Sequence, residues 1–157
     1  MTAKPFLKGG WLRPPLLTAG RAPATRGDNA MFITMRTRKS LGEVRQRFEE
    51  AAAENRLAVL GMHDVGERLR AKGLQFDRKF YVYEVCNPVA AKKVLDTNVR
   101  IGTALPCRVS IYTDGEDVVL ETLKPTTMLA MFGEPTLEGT AREIEAAIEA
   151  MMKEAAK

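Results

Sequence analysis

Hydrophobic and polar positions follow patterns that predict alternating strands and helices from residue 31 to the C-terminus. The segment FYVYEV, Phe80 to Val85, is the strongest strand candidate because aromatic and β-branched residues fill it. The other strand candidates are less apolar, and a hairpin turn joins the last two. They are Phe32 to Thr37, a strand from Leu57 through Leu60 that ends near His63 and Asp64, Cys107 to Tyr112 and Val118 to Leu123, with the turn at Asp114 to Asp117.

Two long helices are predicted, one near each end of this region. The first begins at Ser40, whose S-x-x-E spacing to Glu43 forms a capping box, and its apolar stripe continues to about Asn55. The second runs from about Thr140 to Lys153 with one apolar face. Two shorter helices are predicted from Val65 to Lys72, closed by Gly73, and from Pro88 to about Asp96.

The order of these elements predicts an α+β fold. The late hairpin makes part of the sheet antiparallel, and the two long helices are expected to cover one face, with short helices inserted between strands. The residues alone leave open whether the strands at Phe80 and Cys107 run parallel or antiparallel. The stretch from Pro125 to Pro135 shows no clear pattern, and residues 31–157 are expected to form a single domain.

Charge is concentrated in the N-terminal residues. Residues 1–30 contain five basic residues and one acidic residue, while the remaining 19 basic and 19 acidic residues cancel. A neutral domain argues against nucleic acid as a partner, because that binding depends on clustered Lys and Arg. We expect residues 1–30 to be a disordered basic tail or the product of a mis-assigned start codon. Neither a secretory signal nor an apolar run of about 18 residues is found, so we expect a cytoplasmic protein without membrane contact.

The two cysteines have the most specific sequence context, in the segments EVCNP and LPC. Cys86 ends a strand just before a predicted helix, where the helix dipole stabilises a thiolate and lowers the thiol pKa. One hypothesis is a reactive thiol at Cys86 with Cys107 as its resolving partner, and another is a soft metal or haem-like ligand at the two sulfurs. The alternative is that both are small buried side chains, since free cysteine is among the most buried residue types.

Other candidate residues carry weaker signals. Asn87 is expected to cap the helix that Pro88 begins. His63 beside Asp64 is a candidate general base, although neighbours in a strand point to opposite faces. A zinc site from this chain alone is not expected, because two cysteines and one histidine do not supply four ligands. The sequence contains no phosphate-binding glycine loop, H-E-x-x-H motif or nucleophile elbow, and we expect no catalysis.

The segments FYVYEVCNPVAAKKVL and IGTALPCRVSIY resemble the bacterial and archaeal family called domain of unknown function 302. The resemblance extends over nearly all of residues 31–157. It implies a β-α-β4-α domain with a curved antiparallel sheet of the TBP-like type, and a two-fold homodimer. It also implies that Cys86 and Cys107 are near neighbours, because the strands are then antiparallel. The signature residues that it implies are Cys86, Asn87, Pro88, Pro106 and Cys107, and it implies no activity.

These expectations lead to two hypotheses on function. The first is a cytoplasmic, homodimeric, non-enzymatic domain that binds a small apolar ligand or a protein partner in the concavity of its sheet, without a cofactor. The second is a thiol-dependent redox or sulfur-handling protein that uses Cys86 and Cys107. The burial of the two sulfurs and the direction of their pKa shifts distinguish the hypotheses.

Overall fold

Five strands form one antiparallel sheet in the protein, whose computed structural model describes residues 28–157. Their spatial order is β1-β5-β4-β3-β2, so β1 and β2 are the two edges. The strands are β1 (Phe32–Thr37), β2 (Ala58–Asp64), β3 (Phe80–Cys86), β4 (Cys107–Asp114) and β5 (Asp117–Leu123). Every neighbouring pair runs antiparallel. The family resemblance implied this arrangement, and it is confirmed.

Helices connect the strands and cover one face of the sheet. They are α1 (Asp28–Met31), α2 (Leu41–Glu54), α3 (Val65–Ala71), α4 (Pro88–Thr97), α5 (Pro125–Ala130) and α6 (Glu138–Ala156). Two 3₁₀ turns occupy Val99–Ala104 and Pro135–Leu137. The long helices α2 and α6 pack against each other, and α5 packs against α6. The predicted α+β class, with short helices between strands, is confirmed.

The main core lies between the sheet and the two long helices. Phe48 of α2, Tyr83 of β3 and Met151 of α6 are fully buried in one cluster, which burial of apolar surface stabilises. The rings of Phe48 and Tyr83 are 4.9 Å apart between centroids. A smaller cluster combines α4, α5, the 3₁₀ turns and the start of α6, through Val94, Ile101, Leu129, Leu137 and Ala141.

Local sequence signals fixed several helix ends as predicted. The Oγ of Ser40 accepts a hydrogen bond from the Glu43 N–H at 3.3 Å, and the Glu43 carboxylate accepts one from the Ser40 N–H at 3.0 Å. The capping box is therefore confirmed. Gly73 follows α3 with φ 75°, a left-handed conformation that glycine adopts without steric cost.

The structure differs from the sequence prediction in several element bounds. β2 begins at Ala58, one residue after the predicted start, and ends at Asp64 as predicted, with a bulge between Val59 and Gly61 in its pairing with β3. The helix α5 and the two 3₁₀ turns had no prediction, and α6 extends beyond the predicted helix at both ends. The one-turn α1 lies mostly inside the segment that was predicted as a tail. The rest of that segment, residues 1–27, lies outside the described residues.

The sheet face away from the core, which we call the open face, carries mostly half-buried and exposed side chains, although Val119 on this face is fully buried. Register aligns one row across the sheet through His63, Val82, Ser110, Glu121 and Thr34. Glu84 and Arg108 form a second pair of opposite positions on this face. Because strand side chains alternate, these residues interleave with the buried core positions of the same strands. The open face is therefore available to contact molecules outside this domain.

Candidate functional site

The two cysteines lie at one end of the sheet, where β3 ends and β4 begins. Cys107 is directly opposite Val85, and Cys86 is the next residue after Val85. Both are free thiols of intermediate burial, and both border one small cavity of about 20 Å³. The remaining walls of this cavity are mostly apolar, and Met128 and Leu129 belong to them. The cavity has room for little more than one water molecule, so it does not hold a ligand.

Asn87 and Pro88 turn the chain from β3 into α4. The Asn87 side-chain oxygen accepts a hydrogen bond from the Ala90 N–H at 3.0 Å, and Pro88 occupies the first turn. This is the predicted cap, and it is confirmed. Asn87 therefore has a structural role that explains its position directly after Cys86.

Burial determines the acidity of both thiols. It raises the pKa of Cys86, and it raises the pKa of Cys107 to about 11, with a further increase from the nearby Cys86. A thiolate is costly in apolar surroundings, so both groups stay protonated at neutral pH. Burial therefore shifts the pKa of Cys86 in the direction opposite to the one that its position before a helix favours.

A groove on the open face lies beside the second signature segment. It has a volume of about 280 Å³ and lies between the start of β1, the end of β5 and the loop that enters β4. We call it the open-face groove. The Leu105–Pro106 peptide bond, at its rim, is cis. Its apolar walls include Phe32, Pro106, Leu123 and Met128, and its polar groups include Arg108, Ser110 and Glu121.

His63 and Asp64 do not act together. Asp64 accepts a hydrogen bond from the Glu67 N–H at 2.8 Å and so caps α3. His63 instead has its Nε2 3.4 Å from the Glu84 Oε1, across the β2–β3 pair. Its Nδ1 is buried and has no hydrogen-bond partner among the described residues. The structure therefore places His63 beside Glu84 and gives Asp64 a capping role, and the general-base role of His63 stays a prediction.

Glu84 and Arg108 were missed by sequence reasoning. The Arg108 Nε lies 3.7 Å from the same Glu84 oxygen that faces His63, so one carboxylate connects β2, β3 and β4. Gly61 leaves the space for this carboxylate, because a Cβ there would lie 3.2 Å from the Glu84 Oε2. Only the strand register, including the bulge in β2, brings these side chains together. No local motif in the sequence indicates them.

A second and larger groove lies between α5 and the first half of α6, which we call the α5–α6 groove. Its volume is about 600 Å³. Leu129, Ala130 and Ala141 form an apolar floor. The charged groups around it are Glu134, Glu138, Glu145 and Arg142. No sequence pattern indicated this groove, because α5 was not predicted.

Two further properties concern residues 28–157 as a whole. Within this range, no three His, Cys, Asp or Glu side chains come together as a metal site would require. Within the same range, no helix has the length and apolar composition that crossing a membrane requires.

Comparison with known proteins identifies the family. The chain matches the family described as domain of unknown function DUF302 over residues 33–155. It belongs to the DUF302 family. The crystal structure of an uncharacterized conserved DUF302 protein from Bacillus stearothermophilus is 30% identical in sequence, with a TM-score of 0.77. That match covers 80% of this chain and 98% of the other, while no curated protein matches this chain.

Proposed function

We propose that this DUF302 protein is a non-catalytic, cytoplasmic, homodimeric binding domain that takes a small apolar ligand in the open-face groove. The main observation that supports this proposal is the open-face groove. It combines a volume of about 280 Å³ with apolar walls and a few polar groups, which is the usual composition of a small-molecule site. It also borders Pro106 and Cys107, two of the signature residues that the resemblance implied.

The dimensions and lining of the groove favour a small ligand. Ligand pockets usually measure about 300–1,000 Å³, so this groove is near the lower bound. Phe32 and Leu123 pair across β1 and β5 and offer apolar surface side by side. Arg108 is mostly exposed, with a single ion-pair contact among the described residues, and is available to orient a polar end of the ligand.

The rival function, thiol-dependent redox or sulfur transfer, has one supporting observation, the proximity of Cys86 and Cys107 at the shared cavity. The raised pKa of both thiols opposes it, because the thiolate is the reactive form. Ligand binding on the open face therefore accounts better for the arrangement. In this proposal the two cysteines have a packing role at the end of the sheet, behind the open-face groove.

Octan-1-ol is a suitable probe of ligand binding because it is apolar and uncharged. In an amide NMR titration we expect shifts confined to the start of β1, the end of β5 and the start of β4. Leu123→Asp places a charge in the apolar wall, and we expect it to weaken binding by about tenfold or more. Leu74→Asp is the matched control, because Leu74 is also an exposed leucine but lies outside the groove. No shift at these strand ends, or equal binding by both variants, would contradict the proposal.

The homodimer in this proposal is supported by the family resemblance. Sedimentation velocity of the full chain tests it separately from ligand binding. We expect a species of twice the 17.4 kDa chain mass. A mass of one chain at all concentrations would remove the dimer from the proposal and leave the groove unaffected.

A further inference from the structure

The α5–α6 groove has an acidic rim that the proposed ligand site does not use. Three glutamates and one arginine border it, which gives a net charge of −2. The Glu134 carboxylate accepts a hydrogen bond from the Asn98 side chain at 2.9 Å, and Glu138 pairs with Arg142. Glu145 accepts a hydrogen bond from the Thr126 N–H at 3.0 Å. These contacts hold the carboxylates in place around an apolar floor, so the groove suits a partner that is both cationic and apolar.

Residues 1–27 of the same chain have this composition. They contain five basic residues, Lys4, Lys8, Arg13, Arg21 and Arg26, and no acidic residue. Large apolar residues lie among them, at Phe6, Leu7, Trp11, Leu12, Leu16 and Leu17. The family match begins only at residue 33, so this segment lies outside the matched residues.

The chain enters the domain beside the groove. The Met31 carbonyl oxygen accepts a hydrogen bond from the Lys124 N–H at 2.8 Å, so the end of α1 lies against the residue that precedes α5. Thr126, two residues further on, lines the groove. A segment of 27 residues spans up to roughly 90 Å when extended, so the groove is well within its reach.

We propose that residues 1–27 dock in the α5–α6 groove of their own chain. The net charge of −2 at the rim complements the five basic residues of the segment, and the apolar floor complements its large apolar residues. Individual surface ion pairs are weak, but tethering gives the segment an effective concentration on the order of millimolar. This proposal departs from the expectation of a disordered tail. It concerns a different surface from the open-face groove and does not depend on the proposed function.

Trp11 makes the proposal directly testable in the full chain, because it is the single tryptophan. Tryptophan fluorescence therefore reports on the segment alone. We expect acrylamide to quench Trp11 about twofold less than it quenches free N-acetyltryptophanamide, because docking in the groove covers the indole. We also expect 1 M salt to remove much of this protection, since the Debye length falls to about 3 Å. Quenching equal to that of the free compound would overturn the proposal.

Charge reversal identifies the groove as the docking surface. Glu134→Lys with Glu138→Lys should raise the quenching of Trp11 toward that of the free compound. Glu143→Lys with Glu149→Lys is the matched control, because both residues are exposed on α6 and neither lines the groove. Equal quenching in the two double variants would overturn the proposal.

A second variant changes the segment instead of the domain. Lys8→Glu with Arg13→Glu leaves residues 28–157 intact, so it tests docking even where a groove variant unfolds. We expect it to expose Trp11 as the groove variant does, and unchanged protection would contradict the proposal. Protection that disappears on dilution would show docking to a second copy or another partner, which also contradicts docking within one chain.

Discussion

Cys107 is the direct partner of Val85 across the β3–β4 ladder. This pairing brings Cys107 to the same end of the sheet as Cys86, the residue after Val85. Proximity alone favours redox chemistry, but the shared environment is apolar and raises both pKa values. The measured reactivity of the two thiols, and not their proximity, therefore distinguishes thiol chemistry from simple packing.

We predict slow alkylation of both thiols at neutral pH. Because burial raises their pKa values, the thiolate fraction that reacts with iodoacetamide is small there. Mass spectrometry of each cysteine across a pH series measures this, with Cys86→Ala and Cys107→Ala isolating the two sites. We expect both rates to lie below that of an unstructured cysteine peptide. An apparent pKa for Cys86 well under about 8.5 would instead support thiol chemistry.

The Cys107 thiol should also make stability depend on pH. Its pKa is higher in the folded state, so the stabilisation is complete below the unfolded value of 9 and is lost as pH rises toward 11. A shift of this size corresponds to about 2–3 kcal/mol. Urea unfolding measured as the pH rises from 9 to 11 should show that the wild-type protein loses more stability than Cys107→Ala does. Parallel pH profiles of the two proteins would contradict the predicted burial of the thiol.

Asn87 should be replaceable by another capping residue. Asn87→Ser keeps an oxygen that accepts from the Ala90 N–H, whereas Asn87→Ala removes it. We expect the alanine variant to lose about 1 kcal/mol of stability and the serine variant to lose much less. The measurement is urea unfolding, together with octan-1-ol binding. If Asn87→Ser weakens ligand binding while keeping stability, Asn87 contacts the ligand and is not only a cap.

Sequence predicted those elements whose signals are local. Ser40 with Glu43, and Asn87 with Pro88, define helix starts through contacts within one turn. The 3₁₀ turn at Val99–Ala104 was missed, because it is stabilised by burial of Ile101 against residues distant in sequence. The local sequence pattern does not indicate which distant residues pack against Ile101.

The candidate site was predictable only in part, for the same reason. The resemblance predicted that Cys86 and Cys107 lie together, but their acidity depends on the apolar residues that surround them in the fold. The contact of His63 with Glu84 depends on strand register and on one extra residue in β2. A slip of one position changes which side chains meet, so neither contact follows from spacing along the chain.

The Tyr83 hydroxyl should contribute measurably to stability. It accepts a hydrogen bond from the Arg45 Nε at 2.8 Å and donates one to the Glu49 carboxylate at 3.0 Å. Tyr83→Phe leaves both charged partners without it, and we expect a loss of about 1–2 kcal/mol in urea unfolding. Tyr112→Phe is the control, because its hydroxyl makes a single longer bond of 3.2 Å to Glu121. Equal losses in the two variants would contradict the role of the buried hydroxyl.

Arg56 is expected to be a site where glycine stabilises the fold. It follows α2 with φ 57°. Its N–H donates a hydrogen bond to the Ala53 carbonyl at 3.2 Å, and the Leu57 N–H donates one to the Ala52 carbonyl at 2.9 Å. This helix ending places a non-glycine residue in the left-handed region, at a steric cost. Its side chain forms no hydrogen bond or ion pair that would offset this cost within the described residues.

Arg56→Gly should therefore raise the free energy of unfolding by about 0.5–1 kcal/mol, after the entropic cost of glycine is included. Urea unfolding measures the change. Arg100→Gly is the matched control, because Arg100 is also exposed but has no positive φ, and we expect it to lower stability. A loss in both variants would mean that the α2 ending tolerates arginine without strain.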